Sequence, residues 1–201
     1  MIGSLAPRSA GVDDPCRTFF ASNEMAGDDF LKRLKDRFGD GVATANFEVI
    51  DPWVQITPSA LLGVCEYLRD EPDLRFNMLN CITAVDYFEP DEKKAAKVKW
   101  GKPRIEVVYH LSSIEKKHTI VVKVSLPRWE GEVVGQLPSV PSVAGIWSTA
   151  NWHEREVFDL SGVNFTGHPN MTRILCPEDW EGYPLRKDYE MPIEYHGIRG
   201  R

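Results

Sequence analysis

Cysteine is scarce and scattered in this chain. Cys16, Cys65, Cys81 and Cys176 are the only four among 201 residues, with no CxxC pair and no tight spacing. Neither a disulfide framework nor a zinc or iron–sulfur ligand pattern is written in them. Cys65 falls on an apolar helical face and Cys81 in a β-like run, positions typical of small core residues. Reduced thiols in a cytoplasmic protein are the expectation. Excess positive charge is missing too: the formal net charge is −6, which argues against nucleic acid as the main partner because phosphate binding needs a basic face. No window approaches the ~18 apolar residues of a membrane span. The first 26 residues hold no apolar stretch of the kind a signal peptide carries. A soluble protein that meets a membrane only through a partner is expected.

Catalytic signatures are equally thin. There is no P-loop and no GxSxG nucleophile elbow. Gly39-Asp40-Gly41 follows a helical pattern and precedes an extended one, the reverse of the order a dinucleotide loop requires. Gly39 reads instead as a helix stop. His153-Glu154-Arg155-Glu156 lacks the second histidine of a zincin helix, since position 157 is Val. The tripeptides at Asn164 and Asn170 match the glycosylation pattern but mean nothing without a secretion signal. A metallohydrolase using His153, Glu156, His168 and Cys176 would need those residues to converge through folding, and their spacing gives no reason to expect it.

What the chain does have is a two-part organisation. Residues 1–26 mix Ser, Gly, Pro and Asp and read as a loose lead-in. Phe30, Leu31, Leu34 and Phe38 share a helical face, with Asp28 at the N-cap position and Gly39 at the end. Extended runs come next at 42–50 and 53–57, parted by the turn-favouring pair Asp51-Pro52. Thr57 and Pro58 suit the start of a second helix, with Leu61, Leu62, Cys65 and Leu68 as its apolar stripe. Three strands are expected at 76–87, 104–111 and 119–126. The last two alternate cleanly and are joined by a short link that suggests a hairpin. The Lys-rich link 88–103 reads as a solvated loop.

The order helix, two strands, helix, three strands implies an α+β fold. It is a two-layer domain over 27–126, with a mixed sheet and both helices on one face. That span is expected to fold without the C-terminal 75 or so residues, since it is about the size of a small independent domain. After Pro127 the pattern changes to short helices ending near Trp147 and covering 151–160, then to turns broken only by 171–175. Trp152, Phe158, Phe165, Trp180, Tyr183, Tyr189 and Tyr195 make this last part too aromatic for a free tail. It is also too aperiodic to build a sheet. An extended arm over 127–201, buried against its own domain or a partner, is the physical reading. On α-helical spacing two readings stay open: a solvated helix with an Arg155–Asp159 pair, or Trp152 and Val157 or Phe158 turned inward while some of Glu154, Arg155 and Glu156 pair with a partner subunit.

Two stretches of the arm are specific. Asn151-Trp152-His153-Glu154-Arg155-Glu156-Val157-Phe158-Asp159-Leu160 is followed by Gly162-Val163 and Gly167-His168-Pro169. Arg173-Ile174-Leu175 is followed by the unbroken run from Pro177 to Tyr189. Together they resemble the signature of the C-type subunit of the proton-pumping NADH–quinone oxidoreductase, respiratory complex I. The mitochondrial thirty-kilodalton subunit and the plastid J-type subunit are counterparts. Ser161 departs from that pattern, where Phe is usual, as does Thr172, where a second Arg is common.

The resemblance implies a structural subunit of the peripheral arm, with no cofactor of its own, that braces the D- and B-type subunits near the quinone end. FMN and iron–sulfur clusters would belong to partner subunits. The setting would be peripheral, on the cytoplasmic side of the bacterial inner membrane. A homologous subunit of a membrane-bound hydrogenase or a deazaflavin-dependent dehydrogenase is the rival. The expected interface residues are Glu154, Arg155, Glu156, Asp159, Arg173, Trp180, Tyr183, Arg186, Lys187 and Tyr189. If Arg186 lies at an interface its removal weakens assembly. If the arm packs on its own domain, removal lowers the chain's stability instead.

Overall fold

The alternation read over 104–126 builds the centre of the sheet. The structure, a computed structural model, describes residues 27–200; the expected lead-in and Cys16 lie outside the described residues. Helix α1 (Gly27–Phe38) leads to β1 (Val42–Asn46) and β2 (Trp53–Ile56), then α2 (Leu61–Asp70) and β3 (Met78–Tyr87). After a short helix α3 (Glu92–Ala95) come β4 (Arg104–Ser113) and β5 (His118–Pro127). These five strands form one sheet in the order β1-β2-β5-β4-β3. β4 and β5 pair as the expected hairpin, Arg104 opposite Pro127 and Ser113 opposite His118. β2 runs parallel to β5, so the sheet is mixed.

Ile105, Val107, Tyr109 and Leu111 of β4 join Ile120, Val122, Val124 and Leu126 of β5 in one buried cluster. Phe30 and Leu34 of α1 and Leu61, Val64, Cys65 and Leu68 of α2 belong to the same cluster. Both helices therefore cover one face, while Thr119, Lys123 and Ser125 on the other remain partly open. This is the two-layer α+β arrangement.

Local departures have local causes. β1 ends at Asn46 because its side-chain Oδ1 accepts the Glu48 N–H at 3.0 Å, turning the chain. Pro58 opens a 3₁₀ turn rather than α2 itself, and the Thr57 hydroxyl lies 3.1 Å from Ser59 Oγ instead of capping the helix. Leu62 points outward. In the 88–103 link, Asp91 accepts the Lys93 N–H at 2.9 Å and caps α3.

The larger difference lies after Pro127. The helix expected before Trp147 is replaced by β6 (Ser139–Pro141), paired in parallel with β7 (Asn164–Thr166), and by consecutive turns. Helix α4 (Ala150–Ser161) forms as expected. Residues 171–175 make no strand, because the N–H groups of Ile174 and Leu175 are turned toward α4. Val140, Val143, Trp147, Ala150, Val157, Val163 and Phe165 all enter the same cluster as the sheet. The core thus crosses the boundary expected at 126/127. The chain finishes in a small hairpin, β8 (Glu194–Tyr195) with β9 (Ile198–Arg199).

Candidate functional site

Helix α4 carries the first half of the signature and aims it in two directions. Glu154 and Asp159 are fully buried and Val157 is nearly so, whereas Glu156 is exposed and Trp152 is 64% exposed. The Arg155–Asp159 pair does not form. Arg155 instead donates to the Thr172 carbonyl at 3.1 Å and to Thr172 Oγ1 at 2.8 Å, its guanidinium 5.1 Å from the Trp152 ring centre. Asp159, one turn further along the same side of the helix, binds the residues after Thr172 and is buried beneath them.

That buried carboxylate anchors the arm. Oδ2 of Asp159 accepts three consecutive backbone N–H groups, from Ile174 at 2.9 Å, Leu175 at 2.7 Å and Cys176 at 2.9 Å. Arg173 donates to Oδ1 at 2.8 Å and to the Asp159 carbonyl at 3.2 Å. Burial alone would raise the Asp159 carboxyl. The three N–H groups and Arg173 outweigh it and hold the group below the usual carboxylate value.

The end of α4 is completed by the same arm. A helix leaves its last carbonyls without partners. Here Gly162 N–H donates to Phe158 O at 3.0 Å and Leu185 N–H to Leu160 O at 2.9 Å. Arg186 then donates to Ser161 O at 2.9 Å, Gly162 O at 2.9 Å and Arg128 O at 2.8 Å. Gly162 adopts φ +68°, and a Cβ there would meet the Tyr183 ring at 2.7 Å, so both the turn and the packing call for glycine. The Arg186 guanidinium lies 3.7 Å from the Trp129 ring centre and is 6% exposed. Burial, with Arg128 nearby, lowers its pKa to about 10. Of the two settings open to Arg186, this is the intramolecular one.

Arg128 was not among the expected residues. It grips Asp86 of β3 through Nε at 2.8 Å and Nη2 at 2.9 Å, and Asp188 of the arm through Nη2 at 2.6 Å. The Lys187 N–H adds a bond to Asp86 at 3.0 Å while its side chain stays exposed. The sequence offers one signal for this: Arg128 directly follows the β5 alternation, and Asp188 stands inside the second signature stretch.

Glu154 ties α4 to the turn that replaced a helix. It accepts Ser142 Oγ–H at 2.5 Å and the Val143 N–H at 2.7 Å. Burial pushes its carboxyl from the ordinary 4.5 to about 7, with those two donors pulling the other way. Cys65 and Tyr109 share this interior, and burial together with Glu154 raises both. A carboxyl raised in the folded state keeps a proton that the unfolded chain has lost. Its stabilising contribution is complete below about pH 4.5 and disappears as pH rises through about 7. Glu154→Gln should flatten that slope, worth up to about 3 kcal/mol. Urea midpoints at pH 5 and pH 8 should fall further apart for the wild type than for the variant; equal gaps would refute this role.

The remaining expected residues lie along the arm. Tyr183 packs over Gly162, the Trp180 and Tyr195 rings lie tilted at 55° with centres 5.1 Å apart, and Tyr189 lies against Gly182. The metallohydrolase residues do not converge: among the described residues no three His, Cys, Asp or Glu side chains are grouped to hold a metal ion. His168 uses both ring nitrogens locally, Nδ1 accepting the Asn170 N–H at 3.0 Å and Nε2 facing the Asn151 carbonyl at 3.1 Å.

The family described as "Respiratory-chain NADH dehydrogenase, 30 Kd subunit" matches residues 54–195, from β2 through the anchored arm to the final hairpin. The chain belongs to this family. The NADH-quinone oxidoreductase C-type subunit of Chlorobium phaeobacteroides is 40% identical over 168 residues, covering 83% of this chain and 90% of that protein. Its counterpart in a Roseiflexus species, strain RS-1, is 42% identical over 165 residues, covering 82% and 84%. Among solved structures, a chain of the membrane-bound sulfane sulfur reductase, an archaeal respiratory membrane complex, has a TM-score of 0.61 at 24% identity. It covers 82% of this chain and 86% of that one, and the likeness is one of fold. In this member of the 30 Kd subunit family, the match takes in every arginine and carboxylate of the α4 anchor. Among its described residues no helix is long and apolar enough to cross a membrane.

Proposed function

We propose that this chain is a structural subunit of a proton-pumping NADH–quinone oxidoreductase, with no cofactor of its own. It stands in the peripheral arm on the cytoplasmic side of the bacterial membrane and braces the D- and B-type subunits near the quinone end. FMN and the iron–sulfur clusters sit in partner subunits, and NADH oxidation, electron transfer and proton pumping belong to the assembly. The observation that carries the reading is the family match over 54–195. The geometry supports it. α4, Asp159, Arg173, Arg128 and Arg186 fix an irregular segment of about 30 residues rigidly to an α+β domain, which suits a brace between larger neighbours. Glu156, Lys187 and the outer faces of Trp180 and Tyr189 are the expected interface positions left toward solvent; with Trp152, which one sequence reading turned inward and which is exposed instead, they are where partners would meet the chain.

A tag on this chain, expressed in its own host, tests the reading. The expected result is a complex with NADH-oxidising activity and flavin and iron–sulfur absorbance, containing D- and B-type subunits. The same chain purified alone should show neither activity nor visible absorbance. Retention of a hydrogenase-type set without a flavin-bearing NADH-oxidising subunit would move the chain to a different assembly. A stoichiometric chromophore in the isolated chain would refute the structural role.

A further inference from the structure

The arm ends in an aromatic cup with an acidic rim, and the anchor already described does not use it. Trp180, Tyr189 and Tyr195 line a cavity of about 520 Å³, with Glu181, Glu190 and Glu194 around them. Asp179 and His196 belong to the same lining and hold it in place. Asp179 accepts Tyr195 Oη–H at 2.7 Å and lies 2.6 Å from His196 Nε2, while a Cβ on Gly182 would stand 2.9 Å from the Tyr189 ring. Two polar atoms in these walls, Trp180 Nε1 and Tyr189 Oη, are shielded from solvent and find no hydrogen-bond partner among the described residues.

The charge of the cup is uncompensated. Among the described residues Glu181, Glu190 and Glu194 join no ion pair, and Arg199, paired opposite Glu194 in the hairpin, does not come within salt-bridge distance of it. The arginines that might have filled the cup are committed elsewhere: Arg128 to Asp86 and Asp188, Arg173 to Asp159, Arg186 to three carbonyls. The arm's three anchoring arginines thus face inward, and the charges left around the cup itself are carboxylates. Beside the cup, Met191, Ile193 and Ile198 are 70–76% exposed, apolar side chains that a small solute would leave uncovered.

We propose that this cup receives an arginine- or lysine-bearing segment of a partner protein, a proposal that rests on the subunit reading above. Its cationic head lies against the aromatic faces and pairs with the three glutamates. The flanking residues of the segment cover Met191 and Ile193. A central aromatic pocket with an apolar and charged surround is the arrangement expected of an interface anchor.

The test uses the assembled complex. A photoreactive benzoylphenylalanine replaces Ile193, which lies between the cup residues Pro192 and Glu194, and the cross-linked partner peptide is sequenced after purification through a tag on this chain. The expected product is a partner segment of net positive charge containing Arg or Lys. Its yield should fall about ten-fold when Glu181→Gln, Glu190→Gln and Glu194→Gln are combined. The melting temperature of the isolated triple variant should be unchanged, because these side chains hold nothing within the chain. A cross-link to a neutral or acidic segment, to a second copy of this chain or to its own first 26 residues overturns the proposal. So does an undiminished yield in the triple variant, or no cross-link while D- and B-type subunits co-purify; in those cases the subunit reading survives. A wild-type chain that retains no oxidoreductase subunits sinks both.

Discussion

Ending the chain at Gly162 is expected to abolish its cooperative thermal transition, although α1, α2 and all five strands of the main sheet remain. The deletion removes Val163 and Phe165, 0% and 2% exposed within the shared core. Loss of a buried Phe side chain alone costs about 3–5 kcal/mol. It also removes Arg173 and the three N–H groups that bond Asp159, hydrogen bonds to a charged group worth about 1.5–3 kcal/mol each. Together these rival the about 5–15 kcal/mol that stabilises a typical domain. Removing only 191–201 should leave the transition nearly in place, since Met191, Ile193 and Ile198 are largely exposed. Calorimetry on the two truncations checks both statements. A sharp transition near the wild-type temperature in the shorter chain would show that the sheet and its two helices fold alone.

Asp159→Asn should destabilise the full chain by about 3–5 kcal/mol. The amide is nearly the same shape, so the loss isolates charge and hydrogen bonding. If its oxygen faces the N–H groups of Ile174, Leu175 and Cys176, its NH₂ faces Arg173; turned round, an NH₂ confronts three donors. Either way buried polar groups lose their partners. The sign with pH is opposite to that of Glu154. The Asp159 carboxyl is depressed in the folded state, so its contribution is present above the ordinary value of 3.8 and is lost as pH falls through the lower folded value. Denaturation at pH 7 should show the full difference between wild type and variant, and the gap should narrow in acid. Amide exchange at 174–176 should accelerate in the variant. A cost below about 1 kcal/mol would mean that the arm is held by other contacts.

Periodicity made the first part of the fold legible. The alternation of β4 and β5, the apolar face of α1 and its glycine stop all express a repeat of one element against one core. The α4 anchor had no such expression. Glu154 and Asp159 are charged, and amphipathic reasoning sends charged residues outward unless their partners are known. Those partners stand at separations that no repeat encodes: Ser142 before Glu154, Ile174 to Cys176 after Asp159, Arg128 and Gly162 around Arg186. The core contribution of Val163 and Phe165 was hidden for a related reason, because a three-residue strand leaves too short a pattern to read. What revealed this region was the run of specific residues itself, a family resemblance rather than a physical period. That run singled out Glu154, Asp159, Arg173 and Arg186 but passed over Arg128, and it left open which way Arg186 faces.

Because the arm supplies the partners for its last carbonyls, α4 cannot be finished when its own residues have been made. Its closing turn waits for Leu185 and Arg186, which leave the ribosome about 25 residues later, a delay of about 1–5 s at ordinary synthesis rates. During that interval the helix end and the buried face of the sheet beneath Phe165 are open to the wrong neighbour. The protein therefore completes its own core with a stretch of chain made after the sheet and its helices.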